Sequence, residues 1–124
     1  MRKKILIVDD EPHILMLLQD NLEMADYEVV SASDGLEALE QVKQTSPDII
    51  ILDVGMPKMN GWDVCETLKK SPETQHIPVI FLTAFAQNAD RKRGLALGAA
   101  KFITKPFHPD HIVEAIQEVL GQAS

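Results

Sequence analysis

Cysteine is almost missing from this sequence. Cys65 is the single one in 124 residues, which excludes an internal disulfide and with it a small bridged secreted scaffold. A reducing cytoplasm is the expected setting. Long apolar runs are missing too: the basic opening MRKK leads only into ILIV at 5–8 before Asp9 and Asp10 interrupt it, too short for a signal peptide or a membrane span. Positive charge is scarce, with 12 basic against 19 acidic side chains and a formal charge of −7. Such a field repels a phosphate backbone, so direct nucleic-acid binding is not expected. The basic clusters RKK at 2–4 and RKR at 91–93 read as solvated surface, with partner docking as the alternative for the second. Low-complexity linkers and long-period repeats are also lacking, and residues 1–124 read as one domain. A chain of this length buries about two thirds of its extended surface and needs no staples.

What is present is a regular alternation. The runs ILIV at 5–8, IIIL at 49–52, VIFL at 79–82 and the brief FI at 102–103 are continuously apolar, as strands covered on both faces are. EVVSA at 28–32 is half polar and suits a sheet edge. Between them the period becomes helical: Leu15, Leu18, Leu22 and Ala25 form one stripe, Leu36, Leu39 and Val42 another, and Ile112, Val113, Ala115, Ile116, Val119 and Leu120 the clearest. Ser33 or Asp34 can cap the second helix, Asn60 the third, and Pro109 fits a first helical turn. The segment 87–97 is the weakest helix, interrupted by Gly94 and thin in apolar residues. Strand then helix, five times, is an α/β domain. Right-handed crossovers bring all strand C-termini to one edge, where ligands of such sheets bind.

The residues that follow the apolar runs therefore meet. They are Asp9, Asp10 and Glu11 after the first, Asp53 after IIIL, Thr83 after VIFL, and Lys105 with Pro106 after the last. Carboxylates about 5 Å apart repel by roughly 3 kcal/mol per pair at an effective dielectric near 20. A hard divalent cation offsets this. Mg²⁺ takes one or two carboxylates and keeps room for waters and phosphate oxygens; a calcium loop ending in a bidentate glutamate is not present. Carboxylate, cation, ammonium and hydroxyl together are the parts of a phosphoryl-transfer site with Asp53 as nucleophile. Pro57 and Gly61 then turn the chain out of the strand and into a helix.

With VDDE at 8–11, LDVGMPKMNG at 52–61, FLTA at 81–84 and KFITKPF at 101–107, the chain resembles the receiver domains of two-component response regulators over essentially its whole length. The resemblance implies a doubly wound, flavodoxin-like (βα)₅ fold with a five-stranded parallel sheet in order 2-1-3-4-5. It also implies Mg²⁺-dependent phosphoryl transfer from a histidine of a sensor kinase or phosphotransfer protein. Such a domain promotes its own phosphorylation and dephosphorylation rather than acting as an enzyme on a separate substrate. By resemblance, Asp53 is the phosphoacceptor, Asp9 and Asp10 the acidic pair for Mg²⁺ with Asp10 the more direct ligand, and Gly55 a backbone-carbonyl ligand. Thr83 is the switch hydroxyl, Lys105 the ion-pair partner of the phosphoryl group, Phe102 the aromatic that swings inward, and Pro106 the residue after a cis bond. Two departures stand out. Phe102 replaces the usual tyrosine, leaving only packing to couple it. Gly55 lacks a side chain to screen the phosphoryl group, which leaves Phe85 as the expected cover. The sequence ends just past the fifth helix, so the effector is expected to be a separate protein or an output domain on a longer chain.

Other readings stand beside these. Alone, Asp53 suits a turn or cap, and Phe102 a plain core position. Cys65 reads as a small buried hydrophobe, and His108 and His111, without a third ligand, as surface residues. Trp62, the single tryptophan, is expected to pack near the loop after Asp53. A flavin-binding redox domain shares the topology, but Asp9, Asp10 and Glu11 occupy the loop that would receive its phosphate. An aspartyl-nucleophile phosphohydrolase would need a second acid where Gly55 stands. A receiver-like interaction module without chemistry is the remaining alternative.

Overall fold

The structure is a computed structural model, and its described residues are 2–56, 58–84 and 88–121. The chain alternates β1 (Lys4–Val8), α1 (Pro12–Met24), β2 (Glu28–Ala32), α2 (Gly35–Thr45), β3 (Ile49–Leu52), α3 (Gly61–Lys70), β4 (Val79–Thr83), α4 (Asn88–Ala96), β5 (Lys101–Thr104) and α5 (Pro109–Leu120). The strands pair in the order β2-β1-β3-β4-β5, every pair parallel. The half-polar Glu28–Ala32 takes the edge its composition suits.

Strand pleating divides the core in two. Leu6, Val8, Ile50, Leu52, Val79 and Phe81 face α2 and α3 through Ala38, Val42, Val64, Cys65 and Leu68. Ile5, Ile7, Ile49, Ile51, Ile80 and Leu82 face α1 and α5 through Leu18, Leu22, Ile112, Ala115 and Ile116. Successive residues point to opposite faces of a strand, so continuous apolar runs fill both layers. Each fully buried Ile or Leu contributes about 1.5–3 kcal/mol by leaving water. Cys65 is one of these buried residues.

Local chemistry sets the helix ends. Asp34, not Ser33, caps α2: its carboxylate accepts from the Glu37 N–H at 2.8 Å, while the Glu37 carboxylate reaches back to accept from the N–H of Ser33, the residue before the cap, at 2.8 Å. Asn60 caps α3 by accepting from the Asp63 N–H at 3.0 Å. Pro109 opens α5, and His108 acts as its cap, Nδ1 accepting from the Asp110 N–H at 3.2 Å.

Two stripes differ from the sequence reading. α1 ends at Met24, leaving Ala25 as its C-cap. α2 buries Gly35, Ala38 and Val42, whereas Leu36 is 54% exposed. The cause is Gly35: a β-carbon there would lie 2.3 Å from the Met59 carbonyl oxygen, so the helix approaches on its glycine and turns Leu36 to solvent. α4 is as thin in apolar contact as its sequence suggests. Its buried residue is Gly94, against the rings of Phe81 and Phe102. No helix among the described residues is long and apolar enough to cross a membrane.

Candidate functional site

Val8 of β1 stands beside Leu52 of β3 in the parallel register, so the next residues, Asp9 and Asp53, emerge side by side. The Asp53 N–H donates to the Val8 carbonyl at 2.9 Å, and the Asp9 N–H to the Ala32 carbonyl at 3.2 Å. Thr83 ends β4, and its carbonyl accepts the Lys105 N–H at 2.8 Å. Asp9, Asp53 and Thr83 are the buried polar or charged residues among those described. Oxygens of Asp9, Asp10 and Asp53 lie within 4.8 Å of one another, with Asp10 the exposed member. Asp10, Asp53, Gly55, Thr83 and Lys105 line a cavity of about 260 Å³.

Lys105 is the cation of the cluster. Its Nζ lies 2.7 Å from Asp9 Oδ2, 3.4 Å from Glu11 Oε1 and 3.8 Å from Asp53 Oδ1. Asp9 Oδ1 accepts the Glu11 N–H at 3.0 Å, so both Asp9 oxygens are engaged. Burial first, and then the Asp9 charge, push the Asp53 carboxyl up to about 6; Lys105 and the Gly55 amide oppose this, and Asp10 adds to it. Burial alone would lower the Lys105 pKa. The hydrogen bond to Asp9 and the charges of Asp53, Asp9 and Glu11 outweigh it, and the pKa is raised.

The structure thus brings Asp9, Asp10, Asp53, Gly55, Thr83 and Lys105 to one rim. The Lys105–Pro106 bond is cis. Phe102 stands apart, half-buried, in a cluster where Trp62 and Phe81 have ring centroids 4.8 Å apart and Phe81 and Phe102 6.2 Å. Trp62 shares its core with Val54 and Met56 of the loop after Asp53, as its position suggested. Phe85 and Pro57 lie outside the described residues. His108 and His111 are exposed, their ring centroids 5.9 Å apart.

Sequence reasoning missed three features. Glu11 reaches Lys105. The Arg91 and Arg93 guanidinium groups lie over Phe102 and Trp62, 5.2 and 4.8 Å from the ring centroids. Gly61 abuts the Asp53 backbone. Only the arginines carried a sequence cue, as cations in a helix otherwise poor in packing groups.

The profile of the response regulator receiver domain matches residues 5–117, and the chain belongs to that family, which serves two-component signalling. Over 123 residues it is 44% identical to the alkaline phosphatase synthesis transcriptional regulatory protein PhoP of Bacillus subtilis (strain 168), covering 99% of this chain and 50% of that protein. It is 40% identical over 117 residues to the DNA-binding dual master transcriptional regulator RpaA of Synechocystis, covering 94% of this chain and 48% of that protein. The chain therefore spans about half the length of these curated relatives. Among solved structures, the Vibrio cholerae chemotaxis protein CheY4 superposes with a TM-score of 0.91 at 33% identity, covering 96% of this chain and 99% of that one. A BeF3-activated DrrB receiver domain does so with 0.88 at 26%, covering 98% and 99%.

Proposed function

We propose that Asp53 accepts a phosphoryl group from a phosphohistidine of a sensor kinase or phosphotransfer protein. The observation that carries this reading is the buried Asp53 carboxylate, backed by Asp9 and Asp10 and bordered by Thr83 and Lys105 in one open cavity. An Asp53 oxygen attacks phosphorus; the new O–P bond forms as the P–N bond breaks, and its electron pair leaves with the imidazole nitrogen. Lys105 and the Thr83 hydroxyl then bind the phosphoryl oxygens.

Three carboxylates within 4.8 Å are an oxygen donor set suited to Mg²⁺. Asp10 and Asp53 would hold it directly, with the Gly55 carbonyl. Asp9 supports from behind, since Lys105 and the Glu11 N–H already engage its oxygens. When bound, the ion supplies neutralisation of the charge gathered on the transferring group.

Occupancy of Asp53 is read out through Thr83, Phe102 and the face formed by β4, β5, α4 and α5. That face controls binding to a downstream protein or to an output domain of a longer chain, in the cytoplasm. A flavin reading is disfavoured because Asp9, Asp10 and Glu11 repel a phosphate at the first loop. Incubation with Mg²⁺ and a small-molecule phosphodonor tests the reading. Intact mass should rise by one phosphoryl group, and Asp53→Asn should prevent it; no gain by the wild type, or an undiminished gain by the variant, overturns it.

A further inference from the structure

We propose that Glu11 is a positioning residue that withholds Lys105 from the phosphoryl group, so that Glu11 limits how readily Asp53 is modified. This rests on the reading of Asp53 as acceptor. Glu11 occupies the N-cap of α1, yet its side chain makes no capping hydrogen bond. N-caps favour Ser, Thr, Asp and Asn, whose short side chains reach the first-turn amides. A glutamate that breaks this preference without capping is serving another contact.

That contact is the site's cation. Glu11 Oε1 lies 3.4 Å from Lys105 Nζ, its other oxygen 3.4 Å from His13 Nε2, and its N–H donates to Asp9 Oδ1 at 3.0 Å. One residue thus touches both members of the Lys105–Asp9 pair. An ammonium has three donors. Asp9 holds the shortest contact at 2.7 Å, while Asp53 at 3.8 Å is the farthest of the three carboxylates. A phosphoryl group on Asp53 draws Lys105 toward β3, and the Glu11 contact must yield. Its side chain is 48% exposed, so it can swing into water when it does.

The test is a double-mutant cycle of wild type, Glu11→Gln, Lys105→Met and the pair, phosphorylated by acetyl phosphate at saturating Mg²⁺ and constant ionic strength, with intact mass read over time. Glu11→Gln should accelerate uptake about two- to fivefold in the wild-type background, the scale of one partly exposed ion pair. With Lys105→Met present, the acceleration should vanish. Where Lys105→Met takes up too little to time, the same cycle is read as the beryllium fluoride concentration that half-saturates the bound ¹⁹F resonance. The thermal unfolding midpoint of Glu11→Gln should fall by no more than the few degrees one partly exposed ion pair contributes, since no cap is lost. An unchanged or slower rate overturns the role of Glu11, as does equal acceleration in both backgrounds, which is simple repulsion of the anionic donor. No uptake by the wild type overturns the reading of Asp53 and this proposal with it.

Discussion

Gly61 backs directly onto Asp53: a β-carbon at Gly61 would stand 2.3 Å from the Asp53 carbonyl oxygen and 2.9 Å from the Val54 Cα. The first turn of α3 is thereby pressed against the strand end that carries the candidate acceptor. Because the opposing atoms are backbone, no side chain can rotate aside. Gly61→Ala is expected to cost about 1–3 kcal/mol, the usual range for overpacking, and to slow phosphoryl uptake by displacing Asp53. Urea denaturation with equal midpoints for the two proteins would contradict this.

Asp53 destabilises the fold it serves. Its carboxyl is pushed from 3.8 up to about 6, so between those values the folded chain holds a proton that the unfolded chain has released. Stability then falls as pH rises through that window, and the full penalty is present above it. Without divalent cations, Asp53→Asn should gain about 2 kcal/mol at pH 7.5, with the gain shrinking toward pH 4. Denaturation at both pH values decides it; a gain that does not depend on pH sinks the account.

The same raised carboxyl links metal to protons. Mg²⁺ requires the ionised form, so its affinity should fall as pH drops below about 6, and binding at that pH should release protons. Calorimetry in two buffers of different ionisation heat measures the release. Asp10→Asn should weaken binding severalfold; unaltered affinity would remove Asp10 from the metal set.

Arg93 lies over the Trp62 ring at 4.8 Å, and Trp62 is the single tryptophan. Arg93→Ala should shift Trp62 emission and cost up to about 1 kcal/mol, as expected for an exposed cation–π contact. An unchanged spectrum would mean that the guanidinium does not rest there in solution.

The parallel strands, the rim and the residues on it were legible because buried parallel strands announce themselves as unbroken apolar runs, and the polar residue ending each run has to emerge at the same edge; the strand order was legible only through the resemblance to receiver domains. Asn60 and Pro109 were legible as helix starts for equally local reasons. Leu36 misled, since hydrophobic spacing alone cannot foresee that Gly35 will meet the Met59 carbonyl. The Glu11–Lys105 contact was invisible for a related reason: it joins residues from opposite ends of the chain, and nothing in VDDE tells whether the glutamate turns toward its helix or toward β5.

The burial of β3 and β4 on both faces also matters before folding is complete. Short, uncharged, β-branched segments are the most self-adhesive part of a nascent chain, and gatekeepers bracket these two: Pro47, Asp48 and Asp53 around one, Pro78 ahead of the other. Asp53 therefore protects solubility with the same charge that weakens the native state. Asp53→Asn, the more stable protein once folded, is expected to scatter more light during refolding from urea.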